Sequence, residues 1–157
     1  MAARASTITW QAVKSFHPTR NLGTYLRPLP GHNLIYVKNP KAACSTVLVW
    51  LDRIHTGEHD TQFTNIHRQH RLPTVTDVGR EQVLGMLAGG AYRFSFVRHP
   101  AGRLESVYWD KIVRKADVWN PDLVASLRGH DDAGPVPFER FLTMVEQQDP
   151  LAEMDPH

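Results

Sequence analysis

The sequence holds one cysteine, Cys44, in 157 residues, so no internal disulfide can staple the fold and a packed core has to hold it. No apolar run approaches the roughly 20 residues that a helix needs to cross a bilayer, and the first thirty residues contain no signal-peptide apolar stretch. An excess of one charge is missing too. Eighteen Lys and Arg face 16 Asp and Glu, a formal net charge of +2, and the basic residues are scattered apart from the stretch Arg68 to Arg71. That balance gives no footprint for nucleic acid. Internal repeats and low-complexity tracts are absent, as is the phosphate-loop pattern G-x4-G-K-[ST] that a P-loop kinase would carry. These absences lead to the expectation of a soluble, cytoplasmic chain that contacts neither membrane nor nucleic acid.

The elements that the sequence does encode alternate between strand and helix. Thr7 to Val13 reads as a short strand. Asn33 to Lys38 (NLIYVK) reads as a buried strand that stops at Asn39-Pro40, because proline has no N–H to give a sheet. From Cys44 to about His55, Val47, Leu48, Leu51 and Ile54 recur at helical spacing. Thr61 to Ile66 suggests another strand. Asp77 to Ala88 suggests a helix with Val83, Leu84 and Leu87 inward, stopped by Gly89-Gly90. Ala91 to Val97 (AYRFSFV) reads as a central strand. Pro100 opens a helix with an apolar face of Leu104, Val107, Tyr108 and Ile112, and Asn120-Pro121 and Pro137 open two more. The pattern predicts an α/β fold, a central parallel sheet flanked by helices, in a single domain over residues 1–157.

Two segments carry chemistry. The first, Lys38-Asn39-Pro40-Lys41-Ala42-Ala43-Cys44-Ser45-Thr46, joins a strand to a helix start, where backbone N–H groups and the positive helix end converge. Small residues at 42 to 45 let a phosphate approach, Ser45 and Thr46 add hydroxyls, and Lys41 adds a mobile charge. A lysine in an ordinary turn before an N-capping serine would look the same. The second segment runs from Phe94 through Val97-Arg98-His99-Pro100 to Ser106-Val107-Tyr108. There a strand delivers Arg98 to the carboxyl edge of the sheet, and Ser106 follows eight residues later on a helix. An arginine fork with a hydroxyl suits a phosphate monoester. A surface arginine and a small packed serine is the plain alternative.

Together the two segments resemble the signatures with which the sulfotransferase superfamily binds 3'-phosphoadenosine 5'-phosphosulfate (PAPS). These are a Pro-Lys-x-x-x-Ser/Thr loop for the 5'-phosphosulfate and an Arg-x7-Ser element for the 3'-phosphate. The run FVRHPAGRLESVYWDKI is especially similar to the Golgi-type carbohydrate sulfotransferases, sulfotransferase family 2. The resemblance covers about residues 34 to 115. It implies a P-loop-like fold with a PAPS-binding core at about 33–116 and a helical part over 117–157. It also implies that Lys41, Ala42, Ala43, Cys44, Ser45 and Thr46 hold the 5' end and that Arg98 and Ser106 hold the 3'-phosphate. Lys41 would meet charge on the bridging oxygen, and His67, in Asn65-Ile66-His67-Arg68, would take the proton of an acceptor hydroxyl on a glycan or small metabolite. No metal is implied.

Ala43 stands where many such proteins have glycine, so its backbone must keep a negative φ or bear strain. The chain ends at Asp149 to His157, where similar sulfotransferases continue through a His-Trp-containing segment, so a shortened acceptor side is expected. His55/His59 and His67/His70 come with neither a Cys pair nor a third ligand at the spacing of a zinc site, and Cys44 is read as loop packing. Two rival readings remain at this point, a non-catalytic nucleotide-binding or interaction module on the same fold and a P-loop kinase-like phosphotransferase.

Overall fold

The computed structural model describes residues 9–15, 22–119, 121–128 and 134–147. The chain divides into two compact units, Met1–Val97 and Arg98–His157.

The first unit is built on a three-stranded sheet, order β1-β2-β3, with β1 Leu26–Leu29, β2 Leu34–Val37 and β3 Tyr92–Phe94. β1 and β2 are antiparallel because only the turn Pro30–His32 and Asn33, at φ 47°, connect them. β2 and β3 are parallel. The sheet is therefore mixed α/β rather than purely parallel, and β2 rather than β3 is its middle strand. Pro28 had disguised β1. It is tolerated because β1 lies at the sheet edge, where a missing N–H costs no ladder bond. β3 is shorter than AYRFSFV suggests, and Tyr92 and Val97 are largely exposed.

Helix α1, Trp10–Ser15, occupies residues 10–13 of the segment expected as a strand over Thr7 to Val13, and Thr7 and Ile8 lie outside the described residues. The Thr9 hydroxyl accepts from Ala12 N–H at 3.2 Å, a cap that starts a helix instead. Helix α2, Cys44–Thr56, matches its expectation and ends at Gly57 with φ 73°. Thr61 to Ile66 is not a strand. It leads into the short helix α3, Ile66–Gln69, and its hydroxyls are engaged locally, Thr61 with Glu58 and Thr64 with Gln69. The helix expected from Asp77 is broken in two, α4 Val75–Val78 and α5 Arg80–Ala88, by Gly79 at φ 89°, ψ 140°. Thr74 and Asp77 close a capping box at the start of α4.

Register sorts the side chains of the sheet. Leu29, Tyr36 and Leu34 face α2 and α3, forming a cluster with Val47, Leu48, Leu51, Ile66 and Leu72. Leu26 and Ile35 face the other way, against Val75, Val83 and Ala91. Truncating fully buried Leu48 to alanine would cost about 2–5 kcal/mol.

The second unit is helical. Helix α6, Pro100–Val107, runs into a π-helical turn, Tyr108–Val113, followed by α7 Ala116–Trp119, α8 Pro121–Arg128 and α9 Phe138–Gln147. Tyr108 anchors it, donating to Val136 C=O at 2.6 Å and meeting Phe138 edge-on at 4.9 Å. The two helices expected from Pro121 and Pro137 are present. Among the described residues no helix is long and apolar enough to cross a membrane.

Candidate functional site

Between β2 and α2 the chain makes a tight turn, with Ala42 N–H donating to Asn39 C=O at 3.3 Å. Pro40 sits at its second position and Lys41, at φ 63°, at its third, where glycine is the usual choice. Ala43 follows at φ 58° as the residue before the first turn of α2. The sequence posed negative φ or strain at Ala43, and the outcome is strain, about 1–2 kcal/mol for each such L-residue. The Asn39 side-chain amide donates to Phe96 C=O at 3.0 Å and so ties the turn to the segment after β3. No side chain caps the start of α2, and its first turn has no acidic residue. Ala42 and Cys44 turn inward, whereas Ala43, Ser45 and Thr46 are exposed and Lys41 is half-buried. This leaves an exposed, positively polarised helix start with two hydroxyls and a lysine beside it.

His67 lies against that helix start. Its Nε2 is 2.8 Å from Ser45 Oγ, and Ile66 beside it is buried under α2. Gln69 reaches back to accept from Asn65 N–H at 2.7 Å and fixes the entry to α3. His67 is exposed to solvent on one side, yet the desolvation of its ring against the protein is the first cause that holds the imidazole below its ordinary range, and the charges of Lys38, His70, Lys41 and Arg27 add to it. His70 is depressed by burial and by Arg27 and Lys38, with Asp52 opposing. Lys38 is lowered mainly by its own burial. Arg27 is buried in β1, with Nη1 donating to Gly23 and Leu26 carbonyls at 3.0 and 2.9 Å. Sequence reasoning gave Arg27 and Lys38 no role. Their positive field around His67 arises from strand register, Arg27 pairing with Tyr36, and so is not visible along the chain.

In the second unit Arg98 precedes α6 and Ser106 lies in its last turn. Arg98 folds back over Gly102, whose absent Cβ would stand 3.2 Å from Arg98 Nε. Residues 102 and 106 are one helical turn apart, so Ser106 shares the face over which the guanidinium lies. Gly102 is a site feature that the motif reading missed, although a glycine in a helix interior is itself a signal of close approach. A cavity of about 510 Å³ in this unit is lined by Leu104, Tyr108, Trp109, Phe138 and Leu142, with Glu105 as its charged residue. Apolar walls and a carboxylate do not suit a polyanion. Among the described residues no group of three or more His, Cys, Asp or Glu side chains is gathered to hold a metal.

A family model described as the sulfotransferase family matches residues 27–157, most of the chain. The chain belongs to the sulfotransferase family. No match was found among curated proteins or among solved structures. Membership supports sulfotransfer in general, with a sulfate donor of the PAPS kind and a hydroxyl-bearing acceptor. For a sulfotransferase, the uncapped start of α2 with Lys41, Ser45 and His67 around it has the charge and donors that a sulfated or phosphorylated group requires.

Proposed function

We propose that the chain transfers the sulfuryl group of PAPS to a hydroxyl of a carbohydrate or small metabolite. The observation that carries this reading is the 2.8 Å contact between Ser45 and His67 at the start of α2. It sets a titratable imidazole beside the uncapped start of α2 in a chain of the sulfotransferase family, which supports the reading.

The turn from Lys41 to Thr46 receives the 5'-phosphosulfate through backbone N–H groups, the Ser45 and Thr46 hydroxyls and Lys41. Arg98 and Ser106 receive the 3'-phosphate, an assignment supported by the Arg-x7-Ser spacing and the shared face of α6. In the transfer, the bond from sulfur to the bridging phosphate oxygen breaks as a bond from sulfur to the acceptor oxygen forms. The electron pair of the broken bond stays on the phosphate of PAP (adenosine 3',5'-bisphosphate), where Lys41 meets the growing charge. The acceptor proton goes to His67.

His67 is suited to that step because its depressed pKa keeps it neutral near pH 7. Binding of a polyanion beside it offsets the positive field of Lys38, Lys41 and Arg27. The imidazole then gains basicity as the donor arrives.

Calorimetry with PAP, ATP and GTP tests the donor. PAP should bind and raise the melting temperature by mass action. Preference for ATP or GTP would favour a phosphotransferase instead, and PAP binding without PAP formation from PAPS would mark a binding module.

A further inference from the structure

One face of α2 grips the whole segment that carries His67. Ser45 and Asp52 are seven residues apart, close to two helical turns, and Thr56 follows one turn later, so all three lie along one stripe. Ser45 meets His67 at one end of the stripe. Leu48 packs in the cluster of Ile66 and Leu72 midway. At the other end Asp52 Oδ1 accepts from the backbone N–H of Arg71, and Asp52 Oδ2 accepts from Arg71 Nη2 at 2.8 Å. Arg71 also donates to Thr56 Oγ1 at 3.3 Å and, through Nη1, to Glu58.

Asp52 is fully buried. A charge there is tolerated only with a well-placed partner, and an apolar residue of similar size would serve stability as well or better. Burial pushes the Asp52 carboxyl up, but hydrogen bonds from the Arg71 side chain and backbone outweigh this and hold it below its ordinary value. The pair thus stays charged and fixes main chain as well as side chain, four residues from His67.

We propose that Asp52 and Arg71 are positioning residues, a clamp that sets the His67 ring against Ser45. The proposal rests on the reading of His67 as the base for its catalytic consequence, but not for its geometry. Segment 58–71 is closed at its base by Arg71, which holds both Glu58 and Asp52, and this removes freedom that His67 would otherwise have to lose on forming the reactive arrangement.

The test uses Arg71→Met, which spares the backbone bond to Asp52, with Asp52→Asn as a second variant that keeps the buried shape. Ring nitrogen NMR of His67 is recorded with and without PAP at a temperature where each variant is folded, alongside PAP affinity and PAP release from PAPS. We expect the His67 resonances to lose their hydrogen-bonded signature and its titration to move toward the ordinary histidine value. PAP affinity should change less than about twofold, while turnover at saturating PAPS falls about tenfold. Arg71→Lys, which can restore one ionic contact, should recover part of the loss. Lowered melting temperatures with unchanged His67 resonances and turnover would overturn the clamp and leave the pair purely structural. Unchanged turnover in His67→Ala would instead remove the base assignment, and the NMR result would still decide the clamp.

Discussion

Ser45 Oγ and His67 Nε2 lie 2.8 Å apart although 22 positions separate them in sequence. The contact joins the first turn of α2 to the short helix α3 and places an imidazole of lowered pKa beside Lys41.

Replacing Ala43 by glycine should stabilise the protein. Its φ of 58° is a conformation that glycine adopts freely and an L-residue does not. Relief of strain exceeds the added unfolded-state entropy, and a gain of about 1 kcal/mol in urea unfolding is expected. A loss of stability would mean that the Ala43 methyl contributes packing that outweighs its backbone cost.

Arg98→Ala should weaken PAP binding by roughly 1.5–3 kcal/mol, the worth of a charge-assisted hydrogen bond, and Ser106→Ala should cost less. Gly102→Ala separates binding from stability. Alanine favours a helix by about 1 kcal/mol, yet its methyl would press on Arg98 Nε from 3.2 Å. Calorimetry should show weaker PAP binding without a lower melting temperature. Wild-type affinity in Arg98→Ala and Ser106→Ala alike would remove both from the 3'-phosphate site.

Lys41→Ala should reduce turnover more than it reduces PAP affinity, because the charge it meets grows only in the transition state. Steady-state kinetics would show a lowered kcat. A near-normal kcat with a raised KM for PAPS would assign Lys41 to ground-state binding.

Stability should fall on mild acidification. His67 and His70 have folded-state pKa values below their ordinary value of 6.5, so below that pH the unfolded chain binds more protons than the folded one. Their contribution is complete above about pH 6.5 and is lost as pH drops toward their folded values. Asp52 and Asp77, also depressed, add a second loss below the ordinary carboxylate range. Urea midpoints measured at about pH 7.5 and pH 5 should differ less in a His67→Gln, His70→Gln double variant than in wild type. An equal difference in both proteins would place the acid sensitivity elsewhere.

Part of this site was legible in the sequence for a physical reason. The run from Asn33 to Thr46 is local: an apolar strand, a proline stop, small residues and a helical period all act over a few positions, and the structure has β2, the turn and α2 in those places. What escaped reading is non-local. Asp52 sits between Leu51 and Arg53 on a helix and looks like a surface acid, and its partner Arg71 is 19 residues away. Arg27 was hidden in a segment whose Pro28 argues against a strand, yet cross-strand register sets it opposite Tyr36. Gly79 lay inside the helix expected over Asp77 to Ala88, whose apolar residues Val83, Leu84 and Leu87 all follow it, while its backbone divides α4 from α5.

If the protein consumes PAPS with His67 as the base, PAP formation must depend on that imidazole. The most direct measurement is the time course of PAP formation from PAPS in a mixture of glycan and small hydroxyl acceptors, for wild type and His67→Ala at matched PAP affinity. Wild type should form PAP catalytically, with a fall of about 10²-fold or more in the variant, the scale of a lost general base. No PAP formation by folded, PAP-binding wild type, or equal rates in the two proteins, would contradict it.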